Sequence, residues 1–243
     1  MAASADIDDS DLEPDPPDAH RVAARALVLA AISCRGLIEA DASDPGAEKL
    51  RQRVVHWMDS IGISEEAEPS ETALLSTPLG ELEPKARIDS SWRAEGMAVL
   101  AWALRHAELP AFSAQCEPSD TANAMGFLDF REKTVLHSPR LRDSDQIAAF
   151  ADRYLTIHWR LRQYSLEREP MDFVTYVARC NWGPLSLDGI EIVEADLGIG
   201  GVRIDRAENA SYRQTVSIVQ ERHQAFNWLL GLERLYSRVT TDT

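Results

Sequence analysis

Apolar residues recur at helical spacing over most of the chain. Ala19–Ala40 carries a stripe through Val22, Leu29 and Ile32, the recurrence of an amphipathic helix. Asp44 followed by Pro45 is an N-cap and N1 pair. It opens a second helix to about Ile61, with Leu50, Val54, Trp57 and Ile61 on one face and Gly62 after its end. Glu65–Glu83, broken by Pro69, Pro78 and Gly80, reads as a loop with a short helix at Glu71–Ser76. Pro84–Ala107 and Asp143–Leu166 are long helices. Between them, Glu108–Arg142 is loop-like, with a short helix at Ser119–Met125, and a further helix spans Met171–Cys180.

The period then changes to two. Leu185–Leu187 and Ile190–Ile192 alternate around Asp188-Gly189, and Leu197–Ile199 and Val202–Ile204 alternate around Gly200-Gly201. Asp-Gly between alternating runs signals a hairpin, because Gly tolerates the positive φ of a type I′ turn. Three or four strands of antiparallel meander are expected. Asp205 and Glu208 resemble a capping box opening a last helix, Ala207–Leu230, closed by Gly231. The predicted fold is mainly α (α+β): a multi-helix globular domain over 19–243 with a small antiparallel meander before the C-terminal helix.

Helical periodicity also places ionisable groups. In Pro84–Ala107, Ile88, Trp92, Glu95, Val99 and Trp102 fall within about 80° of arc, with Glu95 central. Met97, Leu100 and Leu104 lie opposite, and Ala94, Ala98 and Ala101 form a small-residue ridge, so the helix is apolar on several sides and Glu95 is expected to be buried. His158 shares a face with Ile147, Tyr154 and Leu161, flanked by Arg160 and Arg162. Arg222 shares one with Thr215, Ile218, Phe226 and Leu229, with His223 at its edge and Asn227 one turn on. A buried charge needs a partner or a shifted pKa. The plainer reading of Glu95, His158 and Arg222 is a buried network that fixes helix register. The sharper reading is a pocket in which Glu95 and His158 act as base and acid and Arg222 binds an anion. Arg93, Arg160, Arg162, His223 and Asn227 are secondary ligand-binding candidates. His20, His56, His106 and His137 have no such setting and are expected at the surface. Trp57, Trp92 and Trp102 read as core, whereas Trp159 and Trp228 fall outside their stripes and contact either a second layer or solvent.

Composition narrows the function classes. The 243 residues hold 40 acids and 25 bases, a net charge of −15, which disfavours phosphate backbones and anionic lipid. Seven acids and no Lys or Arg fall in residues 1–18, with Pro14, Pro16 and Pro17, so this tail is expected to be disordered. The remainder has 33 acids against 25 bases, a net of −8, which weakens the case for a basic partner. The tail is unlike a secretory signal, and Ala26–Ile32, the longest apolar run nearby, is far short of a membrane span. Cys34, Cys116 and Cys180 are odd in number and widely spaced, as suits a reducing cytoplasm. Of the 25 bases, 22 are Arg. No zinc spacing, phosphate loop or nucleophile elbow is present, so neither a metal nor a cofactor is expected. Gly198–Gly201 lacks the lysine of a phosphate loop and precedes a strand, so it reads as a turn.

Ser91-Trp92-Arg93-Ala94-Glu95-Gly96, His158-Trp159-Arg160-Leu161-Arg162 and Glu221–Leu229 together resemble a bacterial family known as a domain of unknown function (family forty-two seventy-two). The resemblance runs from about Arg21 to Thr243 and leaves out the first 18 residues. It implies a mostly helical soluble bacterial protein and supplies no activity, cofactor or site. The leading functional reading is a non-enzymatic interaction module or small-ligand binder, with a protein or small molecule as partner and neither nucleic acid nor membrane. The alternative is a metal-independent hydrolase or lyase using Glu95 and His158. A weaker one is an acidic partner or inhibitor of a basic protein.

Overall fold

A computed structural model describes residues 14–243. Eight α-helices lie among them: α1 (Ala19–Ile38), α2 (Pro45–Ile61), α3 (Pro69–Ser76), α4 (Pro84–Ala103), α5 (Pro118–Ala124), α6 (Ser144–Leu166), α7 (Phe173–Arg179) and α8 (Asn209–Leu229). Three short strands, β1 (Ile192–Val193), β2 (Asp196–Ile199) and β3 (Val202–Arg203), form an antiparallel sheet in that order before α8. The fold is mainly α with a small meander, as the periodicity predicts.

Helices α1 and α4 form the centre. From Val22 to Ile32 the apolar residues of α1 are almost wholly buried on every side, as are Met97 to Leu104 on α4, so both are enclosed by other elements rather than facing a core with one stripe. Gly36 permits the close approach of the two helices, and Gly96 makes room for Tyr236. A Cβ on Gly36 would fall 2.7 Å from the Ser91 nitrogen of α4, and one on Gly96 would strike the Tyr236 hydroxyl. Helix α8 packs on both α4 and α6. An aromatic cluster seals that junction: Trp102 lies 4.3 Å from Phe150 and 5.6 Å from Phe226, and Tyr154 stacks on Phe226 at 5.1 Å.

Helix starts follow their caps. The Asp18 carboxylate accepts from the Arg21 N–H, and Asp44 accepts from the Gly46 N–H beside Pro45. Helix α3 starts at Pro69, two residues before the expected Glu71, because Glu68 and Glu71 form a reciprocal capping box.

Five expectations need correction. Helix α4 stops at Ala103, not Ala107: Arg105 is left-handed at φ 66°, His106 N–H returns to the Ala101 carbonyl and Arg105 N–H to that of Trp102. This is a Schellman end built without glycine. The first hairpin turns at Glu194-Ala195, both at positive φ, with Val193 opposite Asp196. Leu185–Leu187 is not a strand, because the Ser186 N–H is taken by the Thr156 hydroxyl of α6; Asp188-Gly189 still makes a turn, closed by Ile190 N–H to the Leu187 carbonyl. Asp205 pairs with Arg203 instead of capping, and α8 begins at Asn209. Ile88, expected on the buried stripe, is 55% exposed because the first turns of α4 project past the core. The turn at Gly200-Gly201 is as expected, with both residues at positive φ between Ile199 and Val202.

Most of the acidic tail, residues 1–13, lies outside the described residues. Residues 14–18 do not behave as free chain: Pro17 is buried and the Asp15 N–H donates to the Gly231 carbonyl at 3.1 Å.

Candidate functional site

The structure divides the predicted trio into two separate contacts. Glu95 and Arg222 meet at the α4–α8 junction with side chains 2% and 0% exposed. Arg222 Nε donates to Glu95 Oε2 at 2.8 Å, and Nη2 lies 2.7 Å from the same oxygen. Nη1 donates to the carbonyls of Pro110 (3.0 Å) and Ala111 (3.2 Å) and to the Tyr154 hydroxyl (2.9 Å), and Nη2 donates to the Ala114 carbonyl (2.8 Å). An arginine has five N–H donors, and these acceptors use them all. Glu95 Oε1 accepts the Cys116 N–H at 3.0 Å. The pair therefore staples the 110–116 loop to the helices, and Arg222 keeps no donor for an anionic ligand. Burial, reinforced by the Glu95 charge, pushes the Cys116 thiol up to about 12, which leaves it unreactive.

His158 is buried as expected, but its partner is His223, with their Nδ1 atoms 2.9 Å apart. No hydrogen bond or ion pair joins it to Glu95 or Arg222. One imidazole donates and the other accepts, so the contact requires at least one neutral ring. Burial, aided by Arg162, lowers the His158 pKa to about 4; burial and the neighbouring His158 lower that of His223 to about 3. Neither ring carries charge at neutral pH.

The secondary candidates also have neighbours within the chain. Arg160 grips Asp196 of β2 through both carboxylate oxygens at 2.7 and 2.6 Å, with both side chains fully buried. Arg93 binds Glu221 at 3.0 Å and Gln224 at 3.1 Å. Asn227 donates to the Thr240 carbonyl at 2.9 Å and ties down the C-terminal segment. Arg162 is half exposed, 4.0 Å from Asp242. His20, His56, His106 and His137 are exposed, as expected. Trp228 and Trp159 both meet a second layer: Trp228 is buried edge-on against Tyr236, and Trp159 stacks on Tyr176 at 4.3 Å.

The stapled loop forms one wall of a cleft of about 230 Å³ between α4, α6 and the turn at Gly189. Its apolar lining includes Trp102, Phe112, Phe150 and Tyr154. The two lining acids have partners: Glu108 binds Arg142 at 3.0 Å, and Glu191 accepts the Gly201 N–H at 2.6 Å. Arg153 differs. It makes no ion pair or hydrogen bond among the described residues, and its Nε is buried without a partner. Its guanidinium stacks on Phe150, 4.2 Å from the ring centre. Gly189, at φ +69°, leaves room for it, since a Cβ there would lie 2.7 Å from Arg153 Cζ. Helical phase could not single out Arg153, because it lies off the stripe and its setting depends on a remote turn.

No group of three or more His, Cys, Asp or Glu able to hold a metal occurs among the described residues, and no described helix is long and apolar enough to cross a membrane. Neither a curated protein nor a solved structure matches the chain. A family described as Domain of unknown function (DUF4272) matches residues 7–179. That match starts earlier than the resemblance read from the blocks and ends before the sheet and α8. It spans well over half of the chain, which therefore belongs to the DUF4272 family, a domain of unknown function.

Proposed function

We propose that this protein is a non-enzymatic binder of a small carboxylate with a flat apolar body, held in the cleft over Tyr154. The observation that carries this reading is Arg153, a cation without an ion pair or hydrogen-bond partner among the described residues, in an aromatic-lined cleft. A guanidinium presents a planar fork matched to a carboxylate, and Phe150, half-buried with Leu109 and Pro110 in the same lining, offers surface for an apolar body. The binding reading is preferred to a hydrolase or lyase because Glu95 and His158 hold different partners and Arg222 has no donor to spare. The three cysteines, free of disulfides among the described residues, suit a reducing compartment such as the cytoplasm.

Thermal denaturation with benzoate and with benzyl alcohol tests the reading. Benzoate is expected to raise the melting temperature in a saturable way and uncharged benzyl alcohol to leave it unchanged. Equal responses, or none to benzoate, would refute carboxylate recognition.

A further inference from the structure

A second cleft, of about 340 Å³, lies between α1, α2, α4 and α5. Ala30, Leu37, Leu50, Met97, Ala122 and Phe127 give it an apolar lining, with Ser33 and Cys34 also in the wall. None of its lining residues is Asp, Glu, Lys, Arg or His. Burial raises the Cys34 pKa, so that group too is neutral.

Ser33 supplies the buried polar feature; Ser119 and Asn123, both exposed, also line the cleft. It is 1% exposed, and its hydroxyl has no hydrogen-bond partner. Other buried hydroxyls on the helices behave differently: those of Ser90, Thr121, Thr156 and Thr215 each donate to the carbonyl one turn back. A buried hydroxyl without a partner is costly, and on a cleft wall a ligand oxygen can complete it. We propose that this cleft binds an uncharged, mostly apolar molecule with one hydroxyl or carbonyl oxygen, such as a medium-chain alcohol or ketone, seated on the Ser33 hydroxyl. A charged head group is excluded, because the wall offers no counter-charge and desolvating an ion there is unfavourable. The chemistry is the opposite of that at Arg153, so the two sites are independent.

The test is isothermal titration of the full chain with 1-octanol and with octanoate. The expected result is saturable binding of 1-octanol, at least ~10-fold tighter than octanoate. S33A is expected to weaken 1-octanol about two- to tenfold, the loss of one hydrogen bond. It should keep or raise the melting temperature, since the hydroxyl it removes has no protein partner. A122F fills the cleft and should abolish binding, whereas R153M should leave it unchanged. Bound 1-octanol should also slow alkylation of Cys34 and not of Cys180. Absence of saturable 1-octanol binding, equal affinity for octanoate, or unchanged affinity in S33A overturns the proposal.

Discussion

Replacing Glu95 by Gln removes a charge where the structure gives it no substitute. Arg222 would remain fully buried, with three loop carbonyls, a hydroxyl and an amide around it but no anion. Breaking a buried pair from one side costs about 3–5 kcal/mol. No discount for solvent screening applies, since neither side chain is more than 2% exposed. For a domain of this size, each kcal/mol shifts the melting temperature by roughly 2–4 °C, so E95Q is expected to melt roughly 6–20 °C lower. Because the pair holds the 110–116 loop, amide exchange at Cys116 and Phe112 should accelerate more than exchange in α1. The double variant E95L/R222L removes both charges and should lose less than the two single changes combined. The assay is calorimetry of wild type, E95Q, E95L, R222L and E95L/R222L, with exchange as the local readout. An unchanged melting temperature in E95Q, or strictly additive losses in the cycle, would refute the stapling account.

The His158–His223 contact gives a pH signature. Both folded pKa values lie below the usual histidine value of about 6.5, at about 4 and about 3. The unfolded chain therefore takes up protons first as pH falls. Stability is complete above about pH 6.5 and declines below it, by about 1.4 kcal/mol per pH unit for each ring. Urea unfolding between pH 7.5 and 5 should show wild type losing about 4 kcal/mol more than H158Q/H223Q; parallel curves would refute the assignment. D196N leaves Arg160 buried and unpaired and should cost about 3–5 kcal/mol, with faster amide exchange over residues 192–203; native-like exchange there would contradict it. G189A should displace the Arg153 guanidinium and weaken benzoate binding while Arg153 is retained; unchanged affinity would mean that Gly189 does not position it.

The sequence discloses those features that local periodicity and capping determine. Asp18, Asp44-Pro45 and Gly200-Gly201 act over three or four residues, and each marks its boundary. Burial of Glu95, His158 and Arg222 follows from phase alone. Their partners do not, because phase says which side a residue faces and not what faces it. Arg222 is satisfied largely by backbone carbonyls of the 110–114 loop, which any sequence could supply. Arg105 and Glu194-Ala195 adopt left-handed conformations without glycine or asparagine to signal them. Asp188-Gly189 carries the stronger local hairpin signal, yet contact with Thr156 on α6 diverts the strand before it. Arg153 is illegible in the sequence for a similar reason: its site joins α6 to a loop and a turn remote in sequence.

The proposed carboxylate site rests on the unpaired Arg153. Titrating benzoate into wild type and R153M by calorimetry tests it most directly, because Met keeps the aliphatic stem against Phe150 while removing the fork. Saturable binding at one site is expected in wild type, weakened roughly 10- to 100-fold in R153M, the worth of hydrogen bonds to a charged group. Equal affinity in the two proteins, or no binding to wild type, would contradict it.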